Sequence, residues 1–426
     1  MLLAQLLGAL TLLAAVILGS VGLAVPAGAS NDPFFDRQWG LAQLGAAEAW
    51  ATASGAGVTI GVVDTGIDLS HPDLAAKVKA TARCLGGPCR DGGGQDDNGH
   101  GSIVAGIAAA VTGNGRGIAG VAPEASLVAA KVLDAGGAGR VDDINAGIRW
   151  VVDHGARVVN LSLGDPDFLL TSLLGTPLRP GIEYAWAHGA IPVLAAGNYR
   201  LGVLDLGSAN YGQLNAVVVG ATDKAGKVPP YSSPIGNAKW GVAAPGGSGT
   251  GTADDNVIST DTDGGYVAAA GTSMAAPHVS GALALLLGQG LSPTAAVQRL
   301  IATLDTSVAC GNGCKGRVDL AAAVSGLGSP PVAAQAVAPP AAVTPDGGPA
   351  APIEIATTTP SVVSPVADVV EPLLPTRAAR AARAVGPADE ESRNPAVVGL
   401  AVVLFAAVGC GAGGVAWRRL TTGAGW

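Results

Sequence analysis

The feature that most constrains the fold is an apolar segment that follows the octapeptide Gly271–His278. Residues 282–287 read Ala-Leu-Ala-Leu-Leu-Leu, so a helix there is apolar on every side and must be buried at the centre of a domain. Pro277 is predicted to lie in the first turn, where its missing N–H has no helical partner to lose. The helix should therefore begin close to Ser273, which places a hydroxyl at the positive helix end beside unpaired backbone N–H groups.

Ser273 has two interpretations at this position. A serine at a helix start most commonly caps the helix. A serine nucleophile is the alternative, and it requires a base and an orienting group from elsewhere in the chain.

Composition narrows the possible partners. The chain has 426 residues, enough for one large domain with additional segments, and only 13% of them are charged. The net charge of −8 argues against nucleic acid as a partner, because binding phosphates needs a basic face.

The five cysteines fall into two local pairs and one remainder. Cys84 lies close to Cys89, and Cys310 lies close to Cys314, which favours two local disulfides in an exported protein. A zinc site is the alternative, although no C-x-x-C spacing is present. Cys410 lies in an apolar segment and is predicted to be a free thiol.

Short apolar runs alternate with helix-like segments between the two ends of the chain. Strands are predicted at 58–63, 126–133, 157–163, 191–196 and 216–220, and helices at 102–110, 141–154 and 181–188. This pattern predicts an α/β fold in three layers, with a mostly parallel central sheet covered by helices on both faces. Functional groups gather at the carboxyl ends of the strands in such folds.

The N-terminal residues 1–29 are apolar and end in a small-x-small pattern, which predicts a secretory signal peptide. The segment carries no Lys or Arg, so an uncleaved membrane anchor is the alternative. Residues 30–327 are then the globular domain.

The C-terminal part has a different composition. Residues 328–394 are rich in Pro and Ala and predict an extended or disordered linker. Residues 395–417 predict a transmembrane helix, and residues 418–426 form a short tail that opens with two arginines. The positive-inside rule places that tail in the cytoplasm, so we expect a single-pass cell-membrane protein with an extracytoplasmic domain.

Asp64 follows an apolar strand within the sequence Asp-Thr-Gly, and it could simply stabilise a turn. Aspartic proteases also use Asp-Thr-Gly, but they need two carboxylates that share a proton. The Asp-Thr-Asp-Gly sequence at 261–264 does not supply the second one.

His100 is flanked by Gly99 and Gly101 just before a predicted helix, which lets backbone and substrate approach the ring closely. We interpret the other four histidines as surface or core residues, namely His71, His154, His188 and His278. Asn198 ends a strand, where it is either a turn residue or an amide donor to an oxyanion beside the Ser273 N–H.

Three motifs in the order Asp64, His100 and Ser273 resemble the signatures of the subtilisin family of serine proteases. The resemblance extends from Asn31 to Leu327. It is closest to the thermitase-like branch, on the sequences at 31–35, 117–120, 132–134 and 316–319.

The resemblance implies a serine endopeptidase that acts on polypeptides through an acyl-enzyme. Ser273 would be the nucleophile, His100 the base, Asp64 its orienting carboxylate and Asn198 the oxyanion donor. It also implies that substrate binds as an added β-strand between two edges of small residues. These residues are Gly137, Ala138, Gly139, Ser162, Leu163 and Gly164.

A structural Ca²⁺ site is implied by the same resemblance, because hard oxygen ligands on a loop suit this ion. Its ligands would be Asp32, Asp73, Val111, Asn114, Arg116 and Ile118, three of them through backbone carbonyls. The acidic loop with Asp91, Asp96 and Asp97 is a candidate for a second site.

The order of signal, protease domain, linker and anchor resembles mycosins, the membrane-anchored proteases associated with type VII secretion. This predicts a secretion complex as a possible partner and leaves two further interpretations open. One is a mycosin-like component whose scaffolding role matters as much as proteolysis. The other is a scaffold without enzymatic activity, which the intact Asp64, His100, Ser273 and Asn198 disfavour.

Overall fold

The apolar runs of the sequence form a parallel sheet in the computed structural model, which describes residues 30–163, 176–198, 211–250, 252–311 and 313–327. It also describes the backbone of two short strands at 362–363 and 369–372, and all these residues belong to one unit, Met1–Ala378. The strands are β1 (Thr59–Asp64), β2 (Val78–Arg83), β3 (Arg90–Asp91), β4 (Ser126–Lys131), β5 (Gly139–Arg140), β6 (Val158–Leu161), β7 (Ile191–Ala195), β8 (Val217–Thr222), β9 (Trp240–Pro245), β10 (Val257–Thr260), β11 (Tyr266–Ala270), β12 (Val362–Val363) and β13 (Val369–Pro372).

The helices lie between these strands and after them. They are α1 (Trp39–Leu44), α2 (Ala46–Trp50), α3 (His100–Ala109), α4 (Val141–Asp153), α5 (Arg179–Ala187), α6 (Thr272–Gly288), α7 (Pro293–Ala302) and α8 (Leu320–Val324). The main sheet has the order β3-β2-β4-β1-β6-β7-β8-β9, and only the β2–β3 pair is antiparallel.

Helices cover both faces of this sheet. The apolar side chains of α3 and α6 pack on one face, and those of α4 and α5 pack on the other. Every residue of β1 is buried because a central parallel strand is covered on both sides. The predicted three-layer α/β fold is confirmed.

Helix α6 is buried from Thr272 to Leu287, as its apolar sequence predicts, but one detail of the prediction is wrong. Pro277 lies inside the helix rather than in its first turn. A residue there would normally donate its N–H to the carbonyl of Ser273, four residues earlier. The Ser162 hydroxyl donates to that carbonyl instead, at 2.8 Å, so the missing helical bond is replaced by the residue that follows β6.

Both predicted local disulfides are present, Cys84–Cys89 and Cys310–Cys314. Cys410, the predicted signal segment and the predicted anchor lie outside the described residues. Within the described ranges, no single helix is long and apolar enough to cross a membrane, and only the bent pair α6–α7 passes that test by length and composition.

Two short strands of the predicted linker pair with the domain. Strand β12 pairs antiparallel with β5, and β13 pairs antiparallel with β11. The first of these pairs lies on a segment that the sequence predicts to bind substrate.

Candidate active site

Asp64 and His100 come together at the carboxyl end of β1. The Asp64 Oδ1 atom lies 2.7 Å from His100 Nδ1, the carboxylate is fully buried, and the imidazole side chain is 10% exposed. Oδ1 also accepts from the Thr65 N–H at 2.7 Å, whereas Oδ2 is buried without a partner among the described residues. A buried carboxylate on Nδ1 fixes the tautomer in which Nε2 carries no proton and can accept one.

The glycines around His100 permit a close approach to β1. A Cβ at Gly101 would lie 2.1 Å from the carbonyl oxygen of Gly66, so no side chain fits there. The Gly101 N–H donates to the Thr65 Oγ1 atom at 2.9 Å and ties the start of α3 to the end of β1. Gly101 therefore permits the start of α3 to pack closely against the turn after β1.

Asp96 holds the loop that precedes His100. Its carboxylate accepts from the backbone N–H groups of Asn98, Gly99 and Ser102 and from the Ser102 hydroxyl. Burial would raise the pKa of Asp96, but the hydrogen bonds outweigh burial and hold that pKa below its ordinary value. The residue is therefore a structural carboxylate of the loop.

Ser273 is the second residue of α6 and is buried. Its Oγ donates to the Ser162 carbonyl at 3.3 Å, and its own carbonyl accepts from the Ser162 hydroxyl. Asn160 donates to that hydroxyl at 2.8 Å and accepts from Ser280 of α6. A buried network thus connects β6 and the residue after it to the first turns of α6.

Asn198 lies beside the start of α6, as the sequence predicts. Its Oδ1 accepts from both the N–H and the hydroxyl of Thr272, each at 2.8 Å. The Thr272 hydroxyl also accepts from the Gly197 N–H, which fixes the end of β7 against the helix. The Asn198 oxygen is therefore fixed toward the helix start.

The predicted substrate-binding residues lie on two separate segments. Gly137 and Ala138 belong to a turn whose backbone bonds to Asp134, and Gly139 begins β5. Ser162 and Leu163 follow β6, and Gly164 lies outside the described residues.

The predicted calcium ligands contact one another through hydrogen bonds. The buried carboxylate of Asp32 accepts from the N–H groups of Gly113, Asn114 and Gly115. Asp73, also buried, accepts from the Asn114 amide and from the N–H of Ile118.

The donor chemistry of this group fits a hard cation. Val111 donates its N–H to the Asp73 carbonyl, and Arg116 donates its N–H to the Asn114 side chain. Within the described ranges neither Asp32 nor Asp73 forms an ion pair with Lys or Arg, and carboxylate and amide oxygens are ligands that Ca²⁺ prefers.

The second candidate calcium site does not come together. Asp97 pairs with Lys131 at 2.6 Å, Asp91 accepts from the Trp150 indole, and Asp96 holds its own loop. No group of three or more His, Cys, Asp or Glu that could hold a metal occurs among the residues that the structure describes.

Lys131 is a supporting residue that the sequence analysis missed. It is 2% exposed, and its Nζ donates to the carbonyls of Thr65 and Leu133 as well as to Asp97. Its hydrogen bonds therefore connect the residue after β1 to the end of β4. A lysine within the apolar run 126–133 was the available signal, because a buried lysine requires partners.

Comparisons with known proteins agree with this geometry. The family model that describes the subtilase family, peptidase S8, matches residues 55–318. Thermitase of Thermoactinomyces vulgaris is 40% identical over 268 residues, which cover 62% of this chain and 86% of thermitase. Subtilisin Savinase of Lederbergia lenta is 39% identical over 249 residues, which cover 58% of this chain and 83% of Savinase.

Two further relatives differ in how much of their own length is covered. A thermophilic serine proteinase of Bacillus sp. (strain AK1) is 38% identical over 263 residues, which cover 61% of this chain and 60% of that proteinase. A solved protease structure from Pseudoalteromonas arctica has a TM-score of 0.61 and 32% identity, and the match covers 69% of this chain and 98% of that one. The chain belongs to the subtilase family and is a thermitase-like, subtilisin-type serine peptidase.

Proposed function

We propose that this protein is a membrane-anchored, extracytoplasmic serine endopeptidase whose reaction runs through Asp64, His100 and Ser273. The observation that carries the proposal is the 2.7 Å contact between Asp64 Oδ1 and His100 Nδ1, together with the position of Ser273 as the second residue of the buried helix α6. A carboxylate on Nδ1 holds the imidazole in the tautomer that can accept the Ser273 proton.

In the proposed reaction, the Ser273 Oγ attacks the carbonyl carbon of a peptide while His100 takes the hydroxyl proton. His100 then gives that proton to the leaving amine, and water hydrolyses the acyl-enzyme by the same route. The Ser273 N–H and the Asn198 amide group hold the oxyanion at the positive end of α6. Substrate would add as a strand along Gly137, Ala138 and Gly139.

The first test uses a fluorophosphonate probe on the full chain in detergent, with calcium present. We expect labelling at Ser273 alone, found by mass spectrometry. Labelling should be lost in Ser273→Ala and kept in Ser307→Ala, a matched control at an exposed serine. A folded chain that hydrolyses no peptide and takes no probe would contradict the proposed activity.

The anchoring part of the proposal is supported by the apolar segments 1–29 and 395–417 and by Arg418 and Arg419 directly after the second one. A chain ending at residue 394 should move from the membrane fraction to the soluble fraction, whereas the full chain should stay with the membrane. A truncated chain that stays in the membrane fraction would place the anchor elsewhere.

We further propose that Asp32, Asp73 and Asn114 hold a structural Ca²⁺ together with the carbonyls of Val111, Arg116 and Ile118. The support is the buried pair of carboxylates, for which no Lys or Arg ion pair occurs among the described residues. When bound, the ion would neutralise these charges and hold the N-terminal segment against the 111–118 loop.

A further inference from the structure

Two short strands of the predicted linker pair with two strands of the domain. Strand β12 lies antiparallel on β5, with Val362 opposite Arg140 and Val363 opposite Gly139. Strand β13 lies antiparallel on β11, with Val369 opposite Ala270. Both partner strands belong to the domain 30–327. Strand β5 is linked to His100 through a hydrogen-bonded turn, and β11 leads along the chain to Ser273.

Strand β5 is connected to His100 through Asn98. From Val362 to Val363, β12 advances from Arg140 toward Gly139, and therefore toward the turn before β5. In this turn the Ala135 carbonyl accepts from the Asn98 side-chain amide at 3.0 Å. The Asn98 oxygen in turn accepts from the His100 N–H at 3.2 Å.

Strand β11 is connected to Ser273 by the chain itself. It ends at Ala270, and α6 begins two residues later with Thr272 and Ser273. Val369, the first residue of β13, is opposite Ala270. The linker therefore has one strand beside the His100 loop and the next beside the residues that lead to Ser273.

The connection between the two strands is short. Even fully extended, the chain from Val363 to Val369 can span no more than about 20 Å. An extended peptide held by backbone pairing on an open strand edge is the way a protease holds its substrate. A Cβ at Gly139 would lie 2.5 Å from the Val132 carbonyl oxygen, so this glycine permits the close packing of β5 against the residues after β4.

We propose that the two strands β12 and β13 dock at the active-site cleft of their own domain and that the chain is hydrolysed at a peptide bond between Val363 and Val369. This inference rests on the proposed function. The Ser273 Oγ would bond to the carbonyl carbon, the C–N bond would break, and the amine would leave with the proton from His100. Water would then break the ester and restore the Ser273 hydroxyl. One water is consumed, and one new carboxylate and one new amine are formed.

The proposed cleavage would detach the domain from the predicted membrane anchor, because the cut lies between them in the sequence. Cleavage between Val363 and Val369 separates the domain 30–327 from residues 395–417, which are predicted to span the membrane. An anchored protease of this design releases its own domain, and the pairing of β12 and β13 selects the position of the cut.

The experiment follows the full chain in detergent by intact mass and by N-terminal sequencing of any new fragment. Four proteins are compared: wild type, Ser273→Ala, the double variant Val362→Pro with Val363→Pro, and a matched control, Ala342→Pro with Val343→Pro. The prolines at 362 and 363 remove both backbone N–H groups of β12, so any ladder bond that this strand donates is lost. The control places two adjacent prolines in the same linker outside both strands.

We expect the wild type and the control to cut between Val363 and Val369 at a rate that does not depend on protein concentration. Ser273→Ala should stay intact. The β12 variant should be cut at about one fifth of the wild-type rate or more slowly still, because ladder hydrogen bonds are lost. An uncut wild type that takes the fluorophosphonate at Ser273 and hydrolyses added peptide would overturn the inference. So would a rate proportional to concentration, or equal rates for the two proline variants.

Failure of the proposed function would be distinct, since neither labelling nor hydrolysis of added peptide would occur. In that case, docking is tested by hydrogen exchange in the Ser273→Ala chain. Peptides that contain Gly139–Arg140 and Tyr266–Ala270 should exchange faster when the β12 prolines are added. Unchanged exchange would overturn the docking itself.

Discussion

His278 should make the stability of this protein fall as the solution becomes acidic. The imidazole is buried in α6, its Nδ1 lies 2.8 Å from the Met274 carbonyl, and a Cβ at Gly40 would lie 3.0 Å from its Nε2. Burial lowers the pKa of His278 from 6.5 to about 4, although the hydrogen bond to Met274 opposes the change. The neutral ring is therefore the form that the folded state accepts.

The sign and size follow from proton linkage. Between pH 6.5 and 4 the unfolded chain binds a proton at this histidine and the folded protein does not, so unfolding becomes easier as pH falls. The stabilisation is fully present above pH 6.5 and is lost as pH falls toward 4. Each pKa unit corresponds to about 1.36 kcal/mol, so the shift of the His278 pKa from 6.5 to about 4 corresponds to a loss of about 3 kcal/mol in the free energy of unfolding.

The assay is urea unfolding followed by tryptophan fluorescence, at several pH values between about 7 and 4. Every chain carries Ser273→Ala to prevent autolysis and is saturated with calcium. We compare the parent with His278→Gln, and we use His188→Gln as the control because His188 is exposed at the end of α5. Carboxylate titrations are common to all chains and cancel in the differences.

We expect His278→Gln to be less stable than the parent near neutral pH and to close that gap by about 3 kcal/mol near pH 4. His188→Gln should follow the parent throughout. Parallel curves for the parent and His278→Gln would refute the reasoning, because they would mean that His278 takes up its proton equally well in both states.

Three further predictions concern the proposed sites. Asp64→Asn should lower kcat by about 10⁴ while the fold remains intact, because the amide favours the wrong histidine tautomer; a fall of tenfold or less in peptide hydrolysis would contradict that role. Asn198→Ala should lower kcat by about 10²–10³ with little change in KM, as reported for the oxyanion donor of a subtilisin; an effect on KM alone would indicate ground-state binding. Chelation of calcium should lower the unfolding free energy by about 3 kcal/mol relative to calcium at 100 times its Kd, and Asp73→Asn should remove most of that difference; equal melting with and without calcium would exclude the proposed site.

The sequence was most informative where one residue type is nearly obligatory. The buried strand that ends at Asp64 and the all-apolar helix after Ser273 could be located because periodicity and burial leave few alternatives. The proximity of Asp64 to His100 came from the order of the motifs and their family resemblance. The Lys131 contacts could not be predicted, because they join the ends of three segments that are distant in the sequence.

In the linker, by contrast, the sequence could not predict the structure. Its Pro- and Ala-rich composition predicts an extended or disordered chain, and composition alone contains no information about pairing partners. The partners of β12 and β13 are strand edges that exist only after the domain has folded. Neither Gly139–Arg140 nor Tyr266–Ala270 can be recognised as such an edge before the topology is known.

The position of Pro277 inside α6 leads to a last prediction about Ser273. Because Pro277 cannot donate an N–H, the Ser273 carbonyl depends on the Ser162 hydroxyl. Ser162→Ala should leave that buried carbonyl without a partner and cost about 1–3 kcal/mol of stability. In Ser162→Ala with Pro277→Ala, the N–H at position 277 can complete the helical bond, so part of this loss should be recovered.

A double-mutant cycle on urea unfolding measures this coupling. Recovery should be incomplete, because the Asn160 amide also donates to the Ser162 hydroxyl and loses that partner in both variants. Strictly additive losses would show that the Ser273 carbonyl does not depend on Ser162. If the coupling is found, the proline replaces one hydrogen bond within the helix by one from Ser162, and the backbone of the proposed nucleophile is then held by the residue that follows β6.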